Sequence, residues 1–384
     1  MSARVRVPSE ATFSSRLRDP TVTARVGALL GLCFSIAFFT GLWSHWAQDL
    51  PGWLTYPTSP AWLYRVTQGV HVAAGTAAVP LLLVKLWSVY PRLFAAFPWP
   101  PSRRLMLNLL ERLSVAVLVG AAVFQLVTGL MNSSQWYPWA FGFRSAHYAV
   151  AWVAIGSLVL HVAVKLPVIR RAFGEPVESS VEPGDRAPLS RRALLRATWT
   201  ASALAVLATA GAAVPFLRRV SVFGVRSGDG PQGVPINRSA VAAGVTEAAA
   251  TDPAWALEVV HPAGTTSFTR DQLLAMPQRT ASLPIACVEG WSASAVWTGV
   301  ALRDVLARVG VAPTDVLVLS LQTQGAFASS LVPANVTADT DTLLALELYG
   351  EDLALDHGYP CRLIAPARPG VLQTKWLYRV EVQA

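Results

Sequence analysis

The sequence is poor in cysteine and in charged residues. Its 384 residues include only three cysteines, Cys33, Cys287 and Cys361, which are too few and too scattered for a disulfide scaffold or a four-thiolate zinc site. Only 14% of the residues are charged, whereas 53% are hydrophobic. That balance excludes a single ordinary soluble domain. The sequence also lacks a Cys-x-x-Cys-His motif, which excludes covalent haem attachment of the c type.

The positive charge of the chain does not indicate nucleic-acid binding. The formal net charge is +8, but the arginines and lysines flank apolar stretches, where they set the orientation of membrane helices. We therefore expect membrane lipid as a partner, and no nucleic acid.

Five apolar stretches are long enough to cross the hydrocarbon layer of a membrane, which takes about 20 residues. They lie near residues 26–46, 65–88, 113–131, 145–167 and 197–216. The first half of the chain is therefore predicted to be an all-α bundle of five transmembrane helices.

Basic residues predict the direction in which these helices cross. The N-terminal tail and the connections 85–104 and 165–196 are rich in Lys and Arg, which predicts that they face the cytoplasm. The connections 47–64 and 132–144 share one basic residue, Arg144, and carry several tryptophans and tyrosines. With five crossings, the rest of the chain is expected outside the cytoplasmic membrane of a bacterium.

A short motif precedes the fifth helix. Ser190-Arg191-Arg192-Ala193-Leu194-Leu195-Arg196 resembles the twin-arginine export signal, which addresses proteins that cross the membrane folded. Folded export is typical of chains that receive a cofactor in the cytoplasm. The alternative is that the paired arginines merely follow the positive-inside rule.

Four of the six histidines, His45, His71, His147 and His161, lie in or at the edges of the apolar stretches. Ionisable side chains in a membrane are energetically costly and usually functional. His147 and His161 fall nearly on one helix face, about 21 Å apart along the axis. Each histidine taken singly could also be an ordinary packing residue.

Depth in the membrane predicts which histidines share a metal. Judged from Arg65 and Arg144 as outer markers, His71 and His147 differ in depth by only about 4.5 Å. We expect them to be the axial ligands of an outer haem b, with His45 as an alternative to either. His161 lies near the cytoplasmic side, where a second haem would need a ligand of another kind.

This histidine pattern resembles the b-type cytochrome subunits of bacterial respiratory enzymes. The resemblance covers roughly residues 25–167. It implies one haem b, or two if His161 finds a partner, and electron exchange with the quinone pool.

The pattern changes from residue 255 onward to short β-branched or alternating runs bounded by turn residues, which predict strands. The predicted strands are 255–260, 282–287, 316–321, 327–331, 361–366 and 376–382. Helices are predicted near 270–276, where Thr269 and Gln272 are spaced as a capping box, and near 301–309, before Gly310. The expected fold is α+β and mostly β.

One thiol is placed to act as a metal ligand. In Ile285-Ala286-Cys287-Val288-Glu289-Gly290-Trp291-Ser292, the cysteine ends an apolar strand and enters a glycine-containing loop. A thiolate is a soft ligand suited to a transition metal. A buried cysteine that only fills the core is the alternative from the residues alone.

The segments around Cys287 and further on are similar to the molybdopterin domains of the sulfite oxidase family. The Cys-Val-Glu-x-Trp-Ser string is followed by Asp356-His357-Gly358-Tyr359-Pro360-Cys361-Arg362 and by Thr374-Lys375-Trp376, in the order found in the family. The resemblance covers about residues 235–383. It implies that Cys287 binds molybdenum and is the catalytic residue. It further implies cofactor contacts from Asn237, Arg238, Glu289, Trp291, Ser292, His357, Arg362 and Lys375.

The sequence departs from that family at its anion-binding arginine. Sulfite oxidases carry a Gly-Ala-Arg-Ser stretch where this chain reads Ala367-Arg368-Pro369-Gly370, so the resemblance leaves sulfite specificity in doubt. A small-molecule substrate is expected, and both sulfoxide reduction and oxidation of a sulfite-like anion stay open.

These observations predict a molybdopterin-dependent oxidoreductase in which a membrane haem bundle precedes a soluble domain of the sulfite oxidase type. The alternative is a non-catalytic membrane protein whose outer domain is a binding module. The predicted segments are a cytoplasmic tail (1–25), a four-helix membrane domain (26–167), a cytoplasmic linker (168–196), a fifth helix (197–216), a second linker (217–250) and the oxidoreductase domain (251–384).

The predicted orientation is tested by a fusion at the C-terminal end. A reporter enzyme that is active only outside the cytoplasm is expected to be active there, because five crossings from an inner N-terminus place the end outside. The same reporter fused after residue 98, in a predicted cytoplasmic connection, is the control and should be inactive. The opposite pattern would contradict the orientation.

Overall fold

The computed structural model describes residues 15–94, 103–178, 189–224, 230–325 and 327–383. The chain divides into two compact units. One contains the residues up to Thr40 together with Val70–Ala210, and the other contains Gly41–Gly69 together with Gly211–Ala384. The predicted tail up to residue 14 and residues 179–188 of the predicted cytoplasmic linker lie outside the described residues.

Five long helices occupy the first half of the chain, as predicted. They are α1 (Pro20–Gln48), α2 (Leu63–Val89), α3 (Arg103–Ser133), α4 (Phe143–Gly174) and α5 (Arg191–Thr209). All five are long and apolar enough to cross a membrane.

The helices differ from the predicted apolar stretches mainly at their ends. Helix α3 begins ten residues before the predicted position, because the preceding residues are leucine, methionine, arginine and glutamate, which all favour helix. Helix α5 begins at Arg191, because the Ser190 side chain accepts a hydrogen bond from the Ala193 backbone N at 3.1 Å. The paired arginines therefore form the first turn of α5.

The helical unit has a small core and an apolar exterior. Val22, Val26, Leu81 and Leu195 are buried among α1, α2 and α5. Large apolar side chains elsewhere on these helices are exposed, among them Leu83 at 63%. An exterior of this kind is typical of helices that face lipid.

The second half of the chain forms two five-stranded sheets. The first sheet has the order β2-β1-β10-β5-β6, and the second has β3-β4-β7-β8 with β9 also paired to β7. The pair β1 and β10 is parallel, and the other pairs are antiparallel. The strands are β1 (Ala256–His261), β2 (Gly264–Thr269), β3 (Arg279–Ala286), β4 (Ser292–Ala301), β5 (Val316–Ser320), β6 (Ser329–Val332), β7 (Leu343–Leu348), β8 (Glu351–Asp352), β9 (Arg362–Ile364) and β10 (Leu377–Val382).

Five short helices complete this half. They are α6 (Ala240–Ala243), α7 (Glu247–Ala250), α8 (Arg270–Leu274), α9 (Leu302–Arg308) and α10 (Ala334–Ala338). The predicted capping box of α8 is present, with Thr269 and Gln272 bonded reciprocally. Helix α9 stops before Gly310, whose φ of 73° ends the helix in the left-handed region.

Several strands were not predicted from the sequence. Strand β7 is buried on both faces, so its residues show no alternation of apolar and polar positions. Strand β4 starts with Ser292-Ala293-Ser294, which resembles a loop in composition. The short strand β8 was missed as well, so the sheet to which Cys287 is attached contains three strands that pattern alone did not identify.

Residues before the predicted domain boundary also pack into this unit. Val234, Ala240 and Ala243 are buried within the stretch predicted as a linker. The segment Gly41–Gly69, hereafter the outer segment, belongs to the same unit. The Asn335 side chain donates to the Tyr56 carbonyl at 2.8 Å.

Candidate functional site

Cys287 stands directly after β3, at the start of a tight turn. The Gly290 N–H donates to the Cys287 carbonyl at 3.1 Å, and the Cys287 N–H donates to the Trp291 carbonyl at 2.9 Å. Gly290 has a φ of 90°, a backbone conformation that residues other than glycine rarely adopt. The turn fixes the cysteine backbone from both sides, and the side chain is buried.

The environment of Cys287 suits a metal ligand. Burial raises the pKa of its thiol, and the nearby Glu289 raises it further. Without a cation the sulfur therefore keeps its proton, whereas a bound metal would displace that proton and compensate the thiolate charge.

The neighbouring predicted residues shape the turn. The Trp291 indole N–H donates to the Glu289 carboxylate at 3.2 Å. The Ser292 hydroxyl donates to the Ala213 carbonyl at 3.4 Å. Their predicted contacts with a cofactor stay predictions.

A buried basic cluster lies on the C-terminal part of the same unit. His357, Arg362 and Lys375 are 0%, 4% and 8% exposed. They converge at Gly358, where an added Cβ atom would lie 3.0 Å from the Lys375 Cβ and 3.2 Å from the Arg362 Cβ. Only glycine permits this approach, because its φ is also 111°.

The charged side chains of this cluster donate to backbone carbonyls, and the acidic Asp356 acts on Lys375 electrostatically without forming an ion pair with it. Arg362 donates to the His357 carbonyl at 3.1 Å, and Lys375 donates to the Asp356 carbonyl at 2.9 Å and to the Arg238 carbonyl. Within residues 230–325 and 327–383, no carboxylate forms an ion pair with Arg362 or Lys375. Buried charges are normally paired, so the cluster fits an anionic ligand.

Three buried nitrogen atoms around the cluster have no hydrogen-bond partner among the residues that the structure describes. They are His357 Nδ1, Arg362 Nε and Trp297 Nε1. The His357 Nε2 donates to the Pro231 carbonyl at 2.7 Å, which leaves Nδ1 as an acceptor. The Trp297 ring centroid lies 5.2 Å from the Arg362 guanidinium and 6.4 Å from the His357 ring centroid. Two donors and one acceptor without a partner therefore lie on neighbouring side chains, and a polar ligand would satisfy them.

Burial shifts the pKa values of the cluster downward. It lowers the pKa of His357 to about 4, that of Lys375 to about 7 and that of Arg362 to about 9. His357 is therefore neutral at pH 7, whereas Arg362 stays charged. An anion bound here would restore the charge of Lys375.

Three further predicted or basic residues do not belong to the basic cluster. The Arg238 guanidinium bonds to the Ala242 carbonyl at 3.0 Å, so Arg238 meets Lys375 through its backbone. Asn237 precedes it and is half-buried. Arg368 is 7% exposed and donates to the carbonyls of Leu372 and Leu331, which commits its guanidinium to the backbone.

Cys361 is separate from this site. Its side chain is fully buried in the core of the first sheet, whereas Cys287 packs in a different apolar cluster. Both thiols are free. No disulfide joins these two cysteines, so the sulfur of Cys287 is not occupied by one.

The helical unit brings together His71 and His147. The ring centroids of these residues, on α2 and α4, are 6.3 Å apart. A metal–imidazole bond is about 2.0–2.1 Å long, and the bonding nitrogen lies about 1.15 Å from the ring centre. Two imidazoles on opposite sides of one metal therefore have centroids about 6.4 Å apart.

Both rings have the tautomer needed for metal binding through Nε2. The His71 Nδ1 lies 2.8 Å from the Ala37 carbonyl, which only accepts. The His147 Nδ1 lies 3.0 Å from the Thr128 hydroxyl, whose own proton is donated to the Phe124 carbonyl at 2.7 Å. Each Nδ1 is therefore a donor, and each Nε2 keeps a lone pair.

His161 has no histidine partner. It lies on α4, and the charged groups that act on it are Lys85, Lys165 and Glu111. Lys165 and Glu111 form an ion pair. Among the described residues, no other histidine ring contacts His161, so its predicted role as a metal ligand stays a prediction.

Sequence reasoning missed the residues that hold these groups in place. Trp297, Thr128 and Ala37 became visible only through their contacts. The one available signal was the Trp297-Thr298-Gly299 string after the cysteine turn, whose tryptophan faces the basic cluster.

Comparison with known proteins gives matches for the C-terminal half of the chain, which contains both sheets. Residues 243–384 match the family described as "Oxidoreductase molybdopterin binding domain". Mitochondrial sulfite oxidase of Drosophila melanogaster is 29% identical over 154 residues, covering 33% of this chain and 27% of that protein. NADH nitrate reductase of Spinacia oleracea is 38% identical over 101 residues, covering 23% of this chain and 11% of that protein.

A solved structure, the sulfane dehydrogenase SoxCD from Paracoccus pantotrophus, matches 34% of this chain and 38% of its own at 24% identity and a TM-score of 0.31. This chain covers only 27% of the length of the Drosophila sulfite oxidase. Residues 243–384 are thus similar to molybdopterin-binding oxidoreductase domains, and the matching relatives include sulfite oxidases and a nitrate reductase, which supports an oxidoreductase.

The buried charge of Lys375 predicts a pH-dependent stability in protein produced without the pterin. Its pKa is about 7 when folded and about 10.4 in an unfolded chain. Between these values the unfolded state binds more protons, so the free energy of unfolding rises with pH. Lys375→Met removes this effect. Its gain in Tm over the wild type should therefore be largest at about pH 6.5 and shrink toward pH 9.5.

Thermal unfolding at several pH values measures this difference. The exposed Arg303→Met variant serves as the control and should show no such trend. A Tm difference for Lys375→Met that stays constant from pH 6.5 to 9.5 would show that Lys375 is not desolvated.

Proposed function

We propose that the chain is a membrane-anchored molybdopterin-dependent oxidoreductase that transfers an oxo group to or from a small substrate. The observation that carries this is one buried thiol together with a buried basic cluster that lacks a carboxylate partner, both within the matched domain. A metal on the sulfur and a phosphate on the cations would satisfy both.

The residues have distinct parts in holding the cofactor. Cys287 would bind molybdenum, which supplies oxo exchange and two-electron redox chemistry when bound. Lys375 and Arg362 would bind the negatively charged phosphate. His357, neutral at pH 7, would accept a hydrogen bond at Nδ1 from a ring N–H of the pterin. The indole of Trp297 would donate one.

The structure favours no particular direction of the reaction. Reduction of a sulfoxide consumes two electrons and two protons and releases water. Oxidation of a sulfite-like anion takes up the oxygen atom of water and releases two electrons and two protons. Two N–H groups of the Arg368 guanidinium donate to backbone carbonyls, which holds this arginine in place without choosing between the two substrate classes. Turnover assays with both substrate classes distinguish the directions.

Electrons would enter or leave through haem b held by His71 and His147. The separation of 6.3 Å between their ring centroids agrees with the distance of about 6.4 Å expected for two axial imidazoles. With Nδ1 as the donor, each ring would offer the lone pair of its Nε2 to the metal. Haem supplies one-electron transfer when bound, and the quinone pool of a bacterial cytoplasmic membrane is the proposed partner.

Substitution of the ligand thiol tests the molybdenum site. Cys287→Ser is expected to lose part of its molybdenum and at least about 100-fold in turnover, because a neutral hydroxyl is a poor replacement for a soft thiolate, while the other contacts to the cofactor remain. Molybdenum is measured by elemental analysis of the purified full chain. Cys361→Ala, which removes the other buried thiol of the domain, is the matched control and should keep its molybdenum. Wild-type turnover together with wild-type metal content in Cys287→Ser would refute the assignment.

Substitution of the histidines tests the haem site. His71→Ala and His147→Ala are each expected to abolish the reduced-minus-oxidised bands of the outer haem b, because each removes one of its two axial ligands. His161→Ala should retain those bands. The spectra of isolated membranes give the result, and full haem content in both variants would contradict the pairing.

A further inference from the structure

A chain of buried polar side chains runs through the outer segment to the turn that carries Cys287. Ser44, Tyr64 and Gln68 are 7%, 1% and 6% exposed. The Ser44 hydroxyl lies 3.0 Å from the Tyr64 hydroxyl and donates to Gln68 Oε1 at 3.1 Å. Gln68 Nε2 in turn donates to the Val288 carbonyl at 3.2 Å.

The direction of every proton in this chain follows from its chemistry. The single Ser44 proton is given to the Gln68 amide oxygen, so Tyr64 must donate to Ser44. With its oxygen occupied by Ser44, the Gln68 amide can only present its NH2 group to Val288. The Gln68 side chain is therefore held in one orientation by two partners, and successive bonds of this kind strengthen one another.

The acceptor at the end of the chain belongs to the metal-ligand turn. Val288 follows Cys287 and is the first central residue of the turn closed by the Gly290 N–H and the Cys287 carbonyl. The carbonyl of such a residue points away from the turn, so it needs a partner elsewhere. Gln68 supplies that partner.

A second contact joins the outer segment to the far side of the same loop. Arg65 donates to the Ser294 hydroxyl at 2.6 Å, at the start of β4. Residues more than 200 positions away in the sequence thus contact both sides of the cysteine turn.

We propose that Gln68, oriented by Ser44 and Tyr64, is a positioning residue for the molybdenum ligand Cys287. It holds the peptide that follows the cysteine, and this sets the direction of the sulfur. The metal centre of the domain is then completed by the outer segment and not by the domain alone. This inference rests on the proposed function for its metal, but not for the hydrogen-bond chain itself.

The test compares Gln68→Met with Thr67→Val in the full-length protein in detergent. Methionine matches the length of glutamine but neither donates to Val288 nor accepts strongly from Ser44. Thr67 lies on the same turn of α2, and its hydroxyl bonds only to the Tyr64 carbonyl, so its removal leaves the turn untouched. Ser44→Ala, which frees the Gln68 amide to rotate, is the second variant.

Two measurements are made on each variant. Amide hydrogen exchange of the peptide spanning residues 287–292 is expected to be about 10-fold faster in Gln68→Met, because the turn loses a buried partner. The electron paramagnetic resonance spectrum of the half-reduced metal is expected to change, and kcat to fall about 10-fold at a nearly constant KM, as is typical for residues that orient metal ligands. Ser44→Ala should show smaller changes of the same kind.

The outcomes separate the two proposals. If the wild type contains molybdenum, and exchange and spectrum are the same in Gln68→Met and Thr67→Val, the positioning role is wrong and the proposed function stands. If the wild type contains no molybdenum but exchange is still faster in Gln68→Met, the proposed function is wrong and the hydrogen-bond chain stands. If exchange is unchanged in Gln68→Met and in Ser44→Ala, the chain does not hold the turn.

Discussion

The structure of the C-terminal domain depends on a set of buried charges that its own residues leave unbalanced. Arg362 and Lys375 are removed from water without a carboxylate partner, beside a thiol that keeps its proton for lack of a cation. Each half of this arrangement is unfavourable alone. One ligand with a metal at one end and a phosphate at the other would relieve both.

Two glycines allow the backbone around Lys375, Arg362 and Cys287 to pack closely. Gly358 allows the backbone around Lys375 and Arg362 to approach as no other residue would. Gly290 closes the turn after Cys287. The two glycines lie in separate segments, and the second sheet positions both segments. The buried cations would strengthen the binding of an anionic cofactor, but they lower the stability of the domain when no cofactor is bound.

The helical unit also contains partly buried polar groups that a ligand would satisfy, and here these groups are neutral histidine rings. His71 and His147 use one ring nitrogen each to donate to oxygen atoms of the protein, and the other nitrogen stays without a described protein partner. Their positions in the sequence indicated a similar depth, and the 6.3 Å between their ring centroids adds a separation that fits a shared metal. His161 shares the helix with His147, but it lies beside Lys165 and Glu111 and has no second ring.

The sequence by itself determined the five apolar helices, the capping box before α8, the mostly β character of the second half and the motif around Cys287, because these follow from local composition, periodicity and short motifs. It did not determine strand β7, which is buried on both faces and shows no alternation. Nor did it reveal that Gln68 reaches the Val288 carbonyl, or that Arg368 is spent on backbone carbonyls. Those contacts join residues distant in sequence, and their partners are set by how the sheets and the outer segment pack. Only the tertiary structure decides them.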